Sequence, residues 1–262
     1  MSEFDGKVAI ITGGANGMGE AAVRELAGLG ATVVIADIDA ERAEKVEAEL
    51  QALGSKVKAI HTDVREESQV IALVEQVVSE FGSIDILDNN AASLELTAND
   101  PDVISLDPQI LQQTLQGNLI APFLCCKHVL PVMIENGGGS IINMASVAGL
   151  TGDIALTAYA LSKAGVIQLT RAVAVQYGKK NVRCNAIAPA TILTANVDAY
   201  MPEDYRNAYI HNSSTSYLGL PEDVSGLVAF LASDRARYMT GHVIPVDGGI
   251  TSALAVAHDR RP

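Results

Sequence analysis

The chain has 262 residues, of which 48% are hydrophobic and 19% charged, so it is long enough to bury a substantial core and is not a disordered sequence. Acidic residues outnumber basic ones by 31 to 18, and a net charge of −13 argues against nucleic acid or an anionic membrane as a partner. The acidic N-terminus, and three cysteines without metal-ligand spacing, predict a cytoplasmic protein with buried thiols and no metal site.

Short apolar runs alternate with longer amphipathic stretches along the chain. Seven runs rich in β-branched residues predict buried parallel strands, at residues 8–11, 32–36, 57–61, 84–87, 140–144, 182–187 and 243–246. Six stretches with helical periodicity lie between them, at 17–28, 39–53, 66–81, 107–136, 154–178 and 221–232. This order predicts an α/β fold in one domain, residues 1–262, with a doubly wound parallel sheet of about seven strands and helices on both faces.

Three segments need separate interpretation. The uncharged stretch 109–126 approaches the length of a membrane span, but its glutamines and its proline predict a soluble amphipathic helix. Residues 190–220 interrupt the alternation of strands and helices, so we expect them to form a lid over the substrate. The last residues, 255–262, are compatible with either a flexible tail or a subunit contact.

A glycine-rich turn, T-G-G-A-N-G-M-G, follows the first predicted strand. Gly13, Gly17 and Gly19 would let the backbone approach a pyrophosphate, which would then rest on the N-terminus of the next helix. A glycine cluster by itself is equally compatible with an ordinary turn. Its position directly after a strand and directly before a helix favours nucleotide binding.

An acidic residue stands at the end of the second predicted strand. Asp37 lies eighteen residues beyond Gly19, where a carboxylate would accept hydrogen bonds from the adenosine ribose. The alternative is a turn residue, since Asp is common at strand ends. At a real site, Asp37 and the nearby Asp39 would repel a 2′-phosphate. Positions 15, 16 and 38 carry no Lys or Arg, so the sequence favours NAD over NADP.

Tyr159 and Lys163 are four residues apart, and Ser146 lies thirteen residues before the tyrosine. Positions i and i+4 share a helix face, so the ammonium can lie beside the phenol and lower its pKa. Such a tyrosine could exchange a proton with an alcohol or ketone oxygen, with the serine hydroxyl as a second hydrogen-bond partner. Taken alone, the pair is more commonly a solvated contact on a helix surface.

Further motifs occur in chain order, and together they carry a resemblance. They are Asp63-Val64 after the third predicted strand, Asn89-Asn90-Ala91 after the fourth, Asn118 in the long helix, Asn185, Pro189 and Thr194 after the sixth strand, and T-G-H-V-I-P-V-D-G-G at 240–249. With the glycine turn and the Ser-Tyr-Lys spacing, the chain resembles a single-domain member of the short-chain dehydrogenase/reductase family, essentially from end to end.

The resemblance implies a catalytic role for four residues. Tyr159 would be the acid/base, Lys163 would lower its pKa and bind the nicotinamide ribose, and Ser146 would polarise the substrate oxygen. Asn118 would hold, through its helix backbone, a water in a proton relay that ends at Lys163. The reaction would be reversible hydride transfer between NAD and a small-molecule alcohol or ketone.

The resemblance also implies a set of cofactor contacts. They come from Gly13, Asn16, Gly17, Met18, Gly19, Asp37, Ile38, Asp63, Val64, Asn89, Asn90, Ala91, Tyr159, Lys163, Pro189, Ile192 and Thr194. Asp63 would bond the adenine amino group, and Thr194 would contact the carboxamide. The family further implies a homotetramer, in which the helices near 107–136 and 157–178 pair across one interface and the C-terminal segment forms another.

Two alanines depart from the family pattern, in which glycine is usual at both positions. If Ala92 or Ala190 had to take a positive φ, its methyl group would strain the turn. Ala190 would also alter the shape of the substrate pocket.

The predicted lid offers the only indication of the substrate. Four of the seven tyrosines, at 200, 205, 209 and 217, lie in it, which suits a neutral cyclic or hydroxysteroid-like substrate. An alternative is that some of them pack against another subunit. A sugar dehydrogenase, a 3-oxoacyl-carrier-protein reductase and a catalytically silent nucleotide-binding regulator remain as alternative functions.

Overall fold

The computed structural model describes residues 2–253, and within them seven strands form one parallel sheet in the order β3-β2-β1-β4-β5-β6-β7. The strands are β1 Val8–Thr12, β2 Thr32–Asp37, β3 Val57–His61, β4 Ile86–Asn89, β5 Gly139–Met144, β6 Val182–Pro189 and β7 Val243–Val246. The direction of strand order reverses between β1 and β4, as in doubly wound folds. The predicted single-domain α/β fold is therefore confirmed, with each strand end within two residues of its expected position. The segment 255–262 lies outside the described residues.

Helices cover both faces of the sheet. They are α1 Gly17–Gly28, α2 Ala40–Ala52, α3 Glu67–Phe81, α4 Pro108–Leu115, α5 Ala121–Glu135, α6 Thr157–Tyr177, α7 Ala195–Tyr200, α8 Glu203–Asn212 and α9 Pro221–Ala232. A π-helical turn, Gln116–Ile120, joins α4 to α5, so the single helix predicted at 107–136 has a local defect in its middle. The short helices α7 and α8 fall in the segment predicted as a lid and were not expected.

Two hydrophobic clusters lie on opposite faces of the sheet. Along β1, Ile11 contributes to one cluster with α1, α2 and α9, and Ile10 to the other with α3, α5 and α6. Because both side chains are fully buried, each contributes on the order of 2–3 kcal/mol through the hydrophobic effect. Burial on both faces explains why the strands are almost uninterruptedly apolar.

The continuous helical run Pro108–Glu135 is long and apolar enough, by length and composition, to cross a membrane. Its side chains Leu124, Val129 and Met133 instead form part of the second core cluster. Packing against the sheet accounts for its apolar character, in agreement with the amphipathic helix predicted from its glutamines.

An aspartate lies in the middle of the apolar sheet. Asp88 in β4 is fully buried, with Ile11 and Ile142 as its neighbours on the adjoining strands. Neither carboxyl oxygen has a hydrogen-bond partner among the described residues. Burial in these surroundings raises the pKa of Asp88 to about 8, so its carboxyl is largely protonated at neutral pH.

This burial makes the stability of the protein depend on pH. In the unfolded chain Asp88 loses its proton near pH ~4, whereas the folded chain retains it until about pH 8. Between these values the folded state binds one more proton, so its free energy of unfolding falls with rising pH by up to ~1.4 kcal/mol per unit. The variant Asp88→Asn should lose this contribution, as measured by urea unfolding between pH 5 and 8. The exposed Asp5→Asn is the control, and identical slopes for both variants would contradict the assignment.

Candidate active site

The glycine turn brings the first turn of α1 close to the chain that leaves β1. Gly13 and Gly17 have positive φ of 65° and 57°, which glycine adopts without strain. A Cβ at Gly19 would collide with the carbonyl oxygen of Gly13 and with the side chain of Asn90. The first turn of α1 can therefore face the groove at the carboxyl edge of the sheet with its amides unobstructed by side chains.

Asn90, which follows β4, fastens this turn. Its side-chain amide donates to the carbonyl oxygens of Thr12 and Gly13, at 3.2 and 3.1 Å. The Thr12 hydroxyl in turn accepts from the backbone amides of Asn90 and Ala91. These bonds hold the glycine turn and the end of β4 together across the point where strand order reverses.

A groove of about 560 Å³ runs along the carboxyl ends of β1 to β4. It is lined by eleven of the predicted cofactor residues, namely Gly13, Asn16, Gly17, Met18, Asp37, Ile38, Asp63, Val64, Asn90, Ala91 and Thr194. Pro189 lies buried at the end of β6, and Ile192 lies buried in the core beside a separate cavity that Tyr217 also lines. Neither lines the groove. The glycine cradle and the adjoining carboxylate fit an extended dinucleotide.

Asp37 is held in a defined orientation at this groove. Its carboxylate accepts hydrogen bonds from the backbone amides of Ala15 and Asp39, both at 2.9 Å. A carboxylate has about four acceptor positions, so two remain for the hydroxyls of a ribose. The glycine turn and the end of β2 thus position one negative charge in the groove.

Asn89 was expected to contact the cofactor, and this expectation is wrong. Its side chain is buried, and its amide donates to Oδ1 of Asn143 at 2.8 Å and to Sγ of Cys126 at 3.4 Å. Cys126 is one of three buried free thiols, as predicted. Strand alternation turns Asn89 into the core and leaves the next residue, Asn90, at the groove.

Arg65 is a groove residue that the sequence analysis missed. Its guanidinium and its backbone amide bind the carboxylate of Asp63, with a shortest distance of 2.7 Å. The hydrogen bonds from Arg65 hold the pKa of Asp63 below its usual value. The carboxylate predicted to bond the adenine amino group is therefore already paired with a cation. The signal in the sequence was an arginine two positions after the aspartate.

Ser146 and Tyr159 line a cavity of about 540 Å³ that also includes Ala190 and Thr191, at the start of segment 190–220. Ser146 follows β5 and caps a short 3₁₀ turn by accepting from the amide of Ala148 at 3.2 Å. Tyr159 lies in the first turn of α6. The Ser146 hydroxyl is close enough to the Tyr159 phenol to act on its pKa, which it lowers against the larger effect of burial. The cavity therefore presents two adjacent hydroxyl groups to a bound molecule.

Lys163 lies one turn after Tyr159, as its spacing predicted, but it does not bind the phenol oxygen. Its ammonium is buried, donates to the carbonyl oxygen of Met144 at 2.8 Å, and lies 5.7 Å from the centre of the tyrosine ring. Burial lowers the pKa of Lys163 to about 8. The ammonium is thus fixed to the end of β5, below the ring.

The expected lowering of the Tyr159 pKa is wrong for the chain alone. Burial raises the pKa of Tyr159, and the hydrogen bond from Ser146 offsets only part of that rise. Desolvation depends on the assembled cavity and therefore could not be seen in the sequence spacing. At neutral pH the side chain is a neutral phenol.

Asn118 is fully buried in the π-helical turn between α4 and α5. Its side chain bonds both backbone groups of Ser93, accepting at 2.7 Å and donating at 3.1 Å. The side chain therefore anchors the loop that follows β4, while the π turn interrupts the regular backbone hydrogen bonding at this position. This arrangement is compatible with the predicted role of its backbone.

The start of α6 depends on Asp100, another residue that the sequence analysis missed. Its buried carboxylate accepts from the backbone amides of Ala158 and Tyr159, at 2.9 and 2.8 Å. The residue before the helix, Leu156, has a positive φ of 59°, and its amide donates to the carbonyl oxygen of Asp100 at 2.9 Å. These bonds explain why α6 begins at Thr157 rather than at 154 as predicted.

The two departures from the glycine pattern cause no backbone strain. Among the described residues only Leu156 and Asn181 combine a side chain with a positive φ, so neither Ala92 nor Ala190 does. Ala92 lines the groove, and Ala190 lines the cavity beside Tyr159. Each alanine instead fills, with its methyl group, a small part of the groove or of the cavity.

Helix α8 lines the same cavity as Tyr159. Tyr205 and Tyr209 line the cavity and pack edge to face with ring centres 5.1 Å apart. Tyr217 lines the separate cavity beside Ile192, and Tyr200 is largely exposed. Of the four tyrosines in segment 190–220, only Tyr205 and Tyr209 therefore line the cavity predicted for the substrate.

Comparison with known proteins supports the assignment of these cavities. A family model described as Enoyl-(Acyl carrier protein) reductase matches residues 13–251. The chain is 40% identical over 251 residues to the 7alpha-hydroxysteroid dehydrogenase of Bacteroides fragilis, covering 96% of each chain. It is 39% identical to the Cis-4-hydroxycyclohexanecarboxylate dehydrogenase of Sinomonas cyclohexanicum, covering 95% of this chain and 98% of that protein.

A solved structure shows the same architecture. A 7 alpha-hydroxysteroid dehydrogenase complexed with NADH and 7-oxo glycochenodeoxycholic acid superimposes with a TM-score of 0.89 at 34% identity, covering 94% of this chain and 95% of that one.

The cap on α6 leads to a stability prediction. Asp100→Ala should lower the free energy of unfolding by ~2–4 kcal/mol, because two amides lose a buried acceptor, whereas Asp100→Asn keeps one acceptor and should lose about half as much. Urea unfolding measures the loss, and amide hydrogen exchange at Ala158 and Tyr159 should accelerate. The exposed cap variant Asp107→Ala, at the start of α4, is the control. An Asp100→Ala loss no larger than that of the control would refute the role.

Proposed function

Because the chain belongs to the short-chain dehydrogenase/reductase family, whose alcohol oxidoreductases use a nicotinamide cofactor, we propose that it uses NAD to interconvert a secondary alcohol and a ketone on a neutral cyclic or hydroxysteroid-like substrate. The observation that carries the proposal is the adjacency of two sites. The dinucleotide-shaped groove and the Ser146–Tyr159 cavity are separated only by the segment that begins the lid, with Ala190 and Thr191 on one side and Thr194 on the other.

Bound in the groove, NAD would accept or donate the hydride. Tyr159 would exchange a proton with the substrate oxygen, and the Ser146 hydroxyl would bond the same oxygen. An ammonium has three donors, so the bond from Lys163 to Met144 leaves donors for a ribose hydroxyl. Asn118 would support the proton relay from within the π turn.

The protonation of Tyr159 suits one direction of the reaction at neutral pH. Its raised pKa keeps it a neutral phenol, the form that donates a proton to a ketone oxygen. Alcohol oxidation needs the phenolate and should therefore be favoured by higher pH. The residues thus support a reversible reaction whose direction responds to pH.

Asp37 is the main argument for NAD. Its fixed carboxylate faces the groove, where a 2′-phosphate would meet a like charge. Arg65, a cation that lines the same groove as Asp37, is already paired with Asp63 rather than free to receive a 2′-phosphate.

The size and lining of the cavity favour a ring-shaped neutral substrate. A volume of about 540 Å³ accommodates a ring system, and tyrosine rings with alanine and branched side chains form most of its walls. The names of the two relatives, a hydroxysteroid and a hydroxycyclohexanecarboxylate dehydrogenase, refer to ring alcohols. The net charge of −13 opposes an acidic carrier protein. No observation favours a sugar or a silent regulator over a ring alcohol.

The lid and the assembly are parts of the same proposal. Helices α7 and α8 would cover the bound substrate. Ile120, Phe123, Leu161 and Val175 are apolar side chains exposed on the helices predicted to pair, which supports a homotetramer. Sedimentation equilibrium measures the number of chains directly.

Removing one hydroxyl tests the catalytic assignment. Tyr159→Phe should lower kcat by about 10²–10⁴-fold because proton exchange is lost, while NADH binding, followed by fluorescence, should change little. Tyr238→Phe is the matched control, since that tyrosine is 99% exposed. Full activity of Tyr159→Phe would eliminate the proposed mechanism.

A charge change tests the cofactor assignment. The wild-type protein should show a kcat/KM for NAD at least ~100-fold above that for NADP, and Asp37→Asn should narrow this ratio about 10-fold or more because a like charge is removed while one oxygen can still accept from Ala15. Asp39→Asn, whose side chain caps α2 beside the groove, should have a smaller effect. An unchanged ratio in Asp37→Asn would exclude this carboxylate as the determinant.

A further inference from the structure

One charged side chain lines the cavity at Tyr159. Among the described residues around it, Asp153 alone carries a charge, and no salt bridge neutralises it there. Asp153 belongs to the loop between Ser146 and α6, which forms one wall of the cavity. The lid cation Arg206 is bound to Asp198, 2.6 Å away, and does not line this cavity. The cavity therefore carries a net negative charge.

This charge lies at the end of a row of hydroxyl groups. Tyr205 and Tyr209 line the same cavity as Tyr159 and Asp153, and their rings pack edge to face with centres 5.1 Å apart. The neighbouring Tyr209, burial and, as the smallest contribution, the charge of Asp153 raise the pKa of Tyr205 to about 12. The polar groups thus extend from the reacting hydroxyl, along the two lid tyrosines, to the carboxylate of Asp153.

The remaining walls are mostly apolar, and their polar residues, Thr151, Thr191, Asn212 and Thr251, are all uncharged. Val147, Leu156 and Ile250 line the cavity together with four alanines. A ring can pack against these side chains with one oxygen at Tyr159 and its far end towards Asp153. At that far end, the row offers phenol hydroxyls and a carboxylate but no cation, so it can accept hydrogen bonds and cannot neutralise an anion.

We infer that Asp153 sets the charge selectivity of the substrate cavity: it rejects ring alcohols with a carboxylate at the far end and favours those whose second polar group is an uncharged hydrogen-bond donor, such as a second hydroxyl. This rests on the proposed function. The inferred preference differs from the compounds that name two similar proteins, a hydroxycyclohexanecarboxylate and 7-oxo glycochenodeoxycholic acid, both of which are carboxylic acids.

The expected size of the effect follows from the exposure of Asp153. Two like charges 6–8 Å apart near a protein surface repel enough to change binding by about 10- to 100-fold, and solvent screening of an exposed carboxylate reduces this to about 5- to 30-fold. Both the repulsion and its screening by salt can be measured.

Three substrates that share one ring test the inference. The kcat/KM values for cyclohexanol, cyclohexane-1,4-diol and 4-hydroxycyclohexanecarboxylate are compared in wild type and in Asp153→Asn. We expect the substitution to raise the value for the carboxylate about 5- to 30-fold, to leave cyclohexanol within about twofold, and not to improve the diol. Raising the ionic strength should improve carboxylate turnover in wild type and have little effect in the variant.

Asp204→Asn is the matched control, because it removes an exposed acid from α8, a helix that lines the cavity, at a position that does not line it. It should leave all three values near those of wild type. If wild type and Asp153→Asn both turn over cyclohexanol and discriminate equally against the carboxylate, the inference about Asp153 is overturned and the proposed substrate class is not. No turnover of any of the three with either nicotinamide cofactor would overturn the proposed substrate class, and this selectivity with it.

Discussion

The point at which α6 begins determines the geometry of the whole catalytic region. The carboxylate of Asp100 binds the amides of Ala158 and Tyr159, and the left-handed residue Leu156 turns the chain into the helix. With the start of the helix fixed, Tyr159 is placed over the cavity, and Lys163 one turn later reaches the carbonyl oxygen of Met144. Asp100 therefore couples the loop after β4 to the end of β5, because helix α6 is bonded to both.

The parallel sheet supplies the second constraint. All carboxyl ends of its strands meet at one edge, so residues far apart in sequence come together there. Asn90 fastens the glycine turn to β4, and Ser146 stands where β5 ends. The segment from Ala190 to Thr194 then crosses between the groove and the cavity. A movement of this segment would for that reason affect both the groove and the cavity, the proposed sites for cofactor and substrate.

Local patterns in the sequence were sufficient for the sheet, the glycine turn and the Ser-Tyr-Lys spacing, because periodicity and spacing are properties of neighbouring residues. They were insufficient where long-range contacts decide. Asp100 acts on a helix that begins 57 residues later, and Asn89 differs from Asn90 only by the side of the strand on which it lies. The short helices α7 and α8 have weak amphipathic patterns, and α8 has no buried residue to mark a face.

The spacing of Tyr159 and Lys163 suggested that the lysine would lower the pKa of the tyrosine, but burial has the opposite effect on that pKa. Desolvation disfavours the phenolate of Tyr159 and the ammonium of Lys163 alike, raising one pKa and lowering the other to about 8. In the chain alone, the lysine would therefore lose its proton before the tyrosine does. Positive charge added near the ring would make the phenolate accessible at a lower pH, and an oxidised nicotinamide carries such a charge. The proton chemistry of Tyr159 thus depends on the occupant of the groove as well as on the lysine beside it.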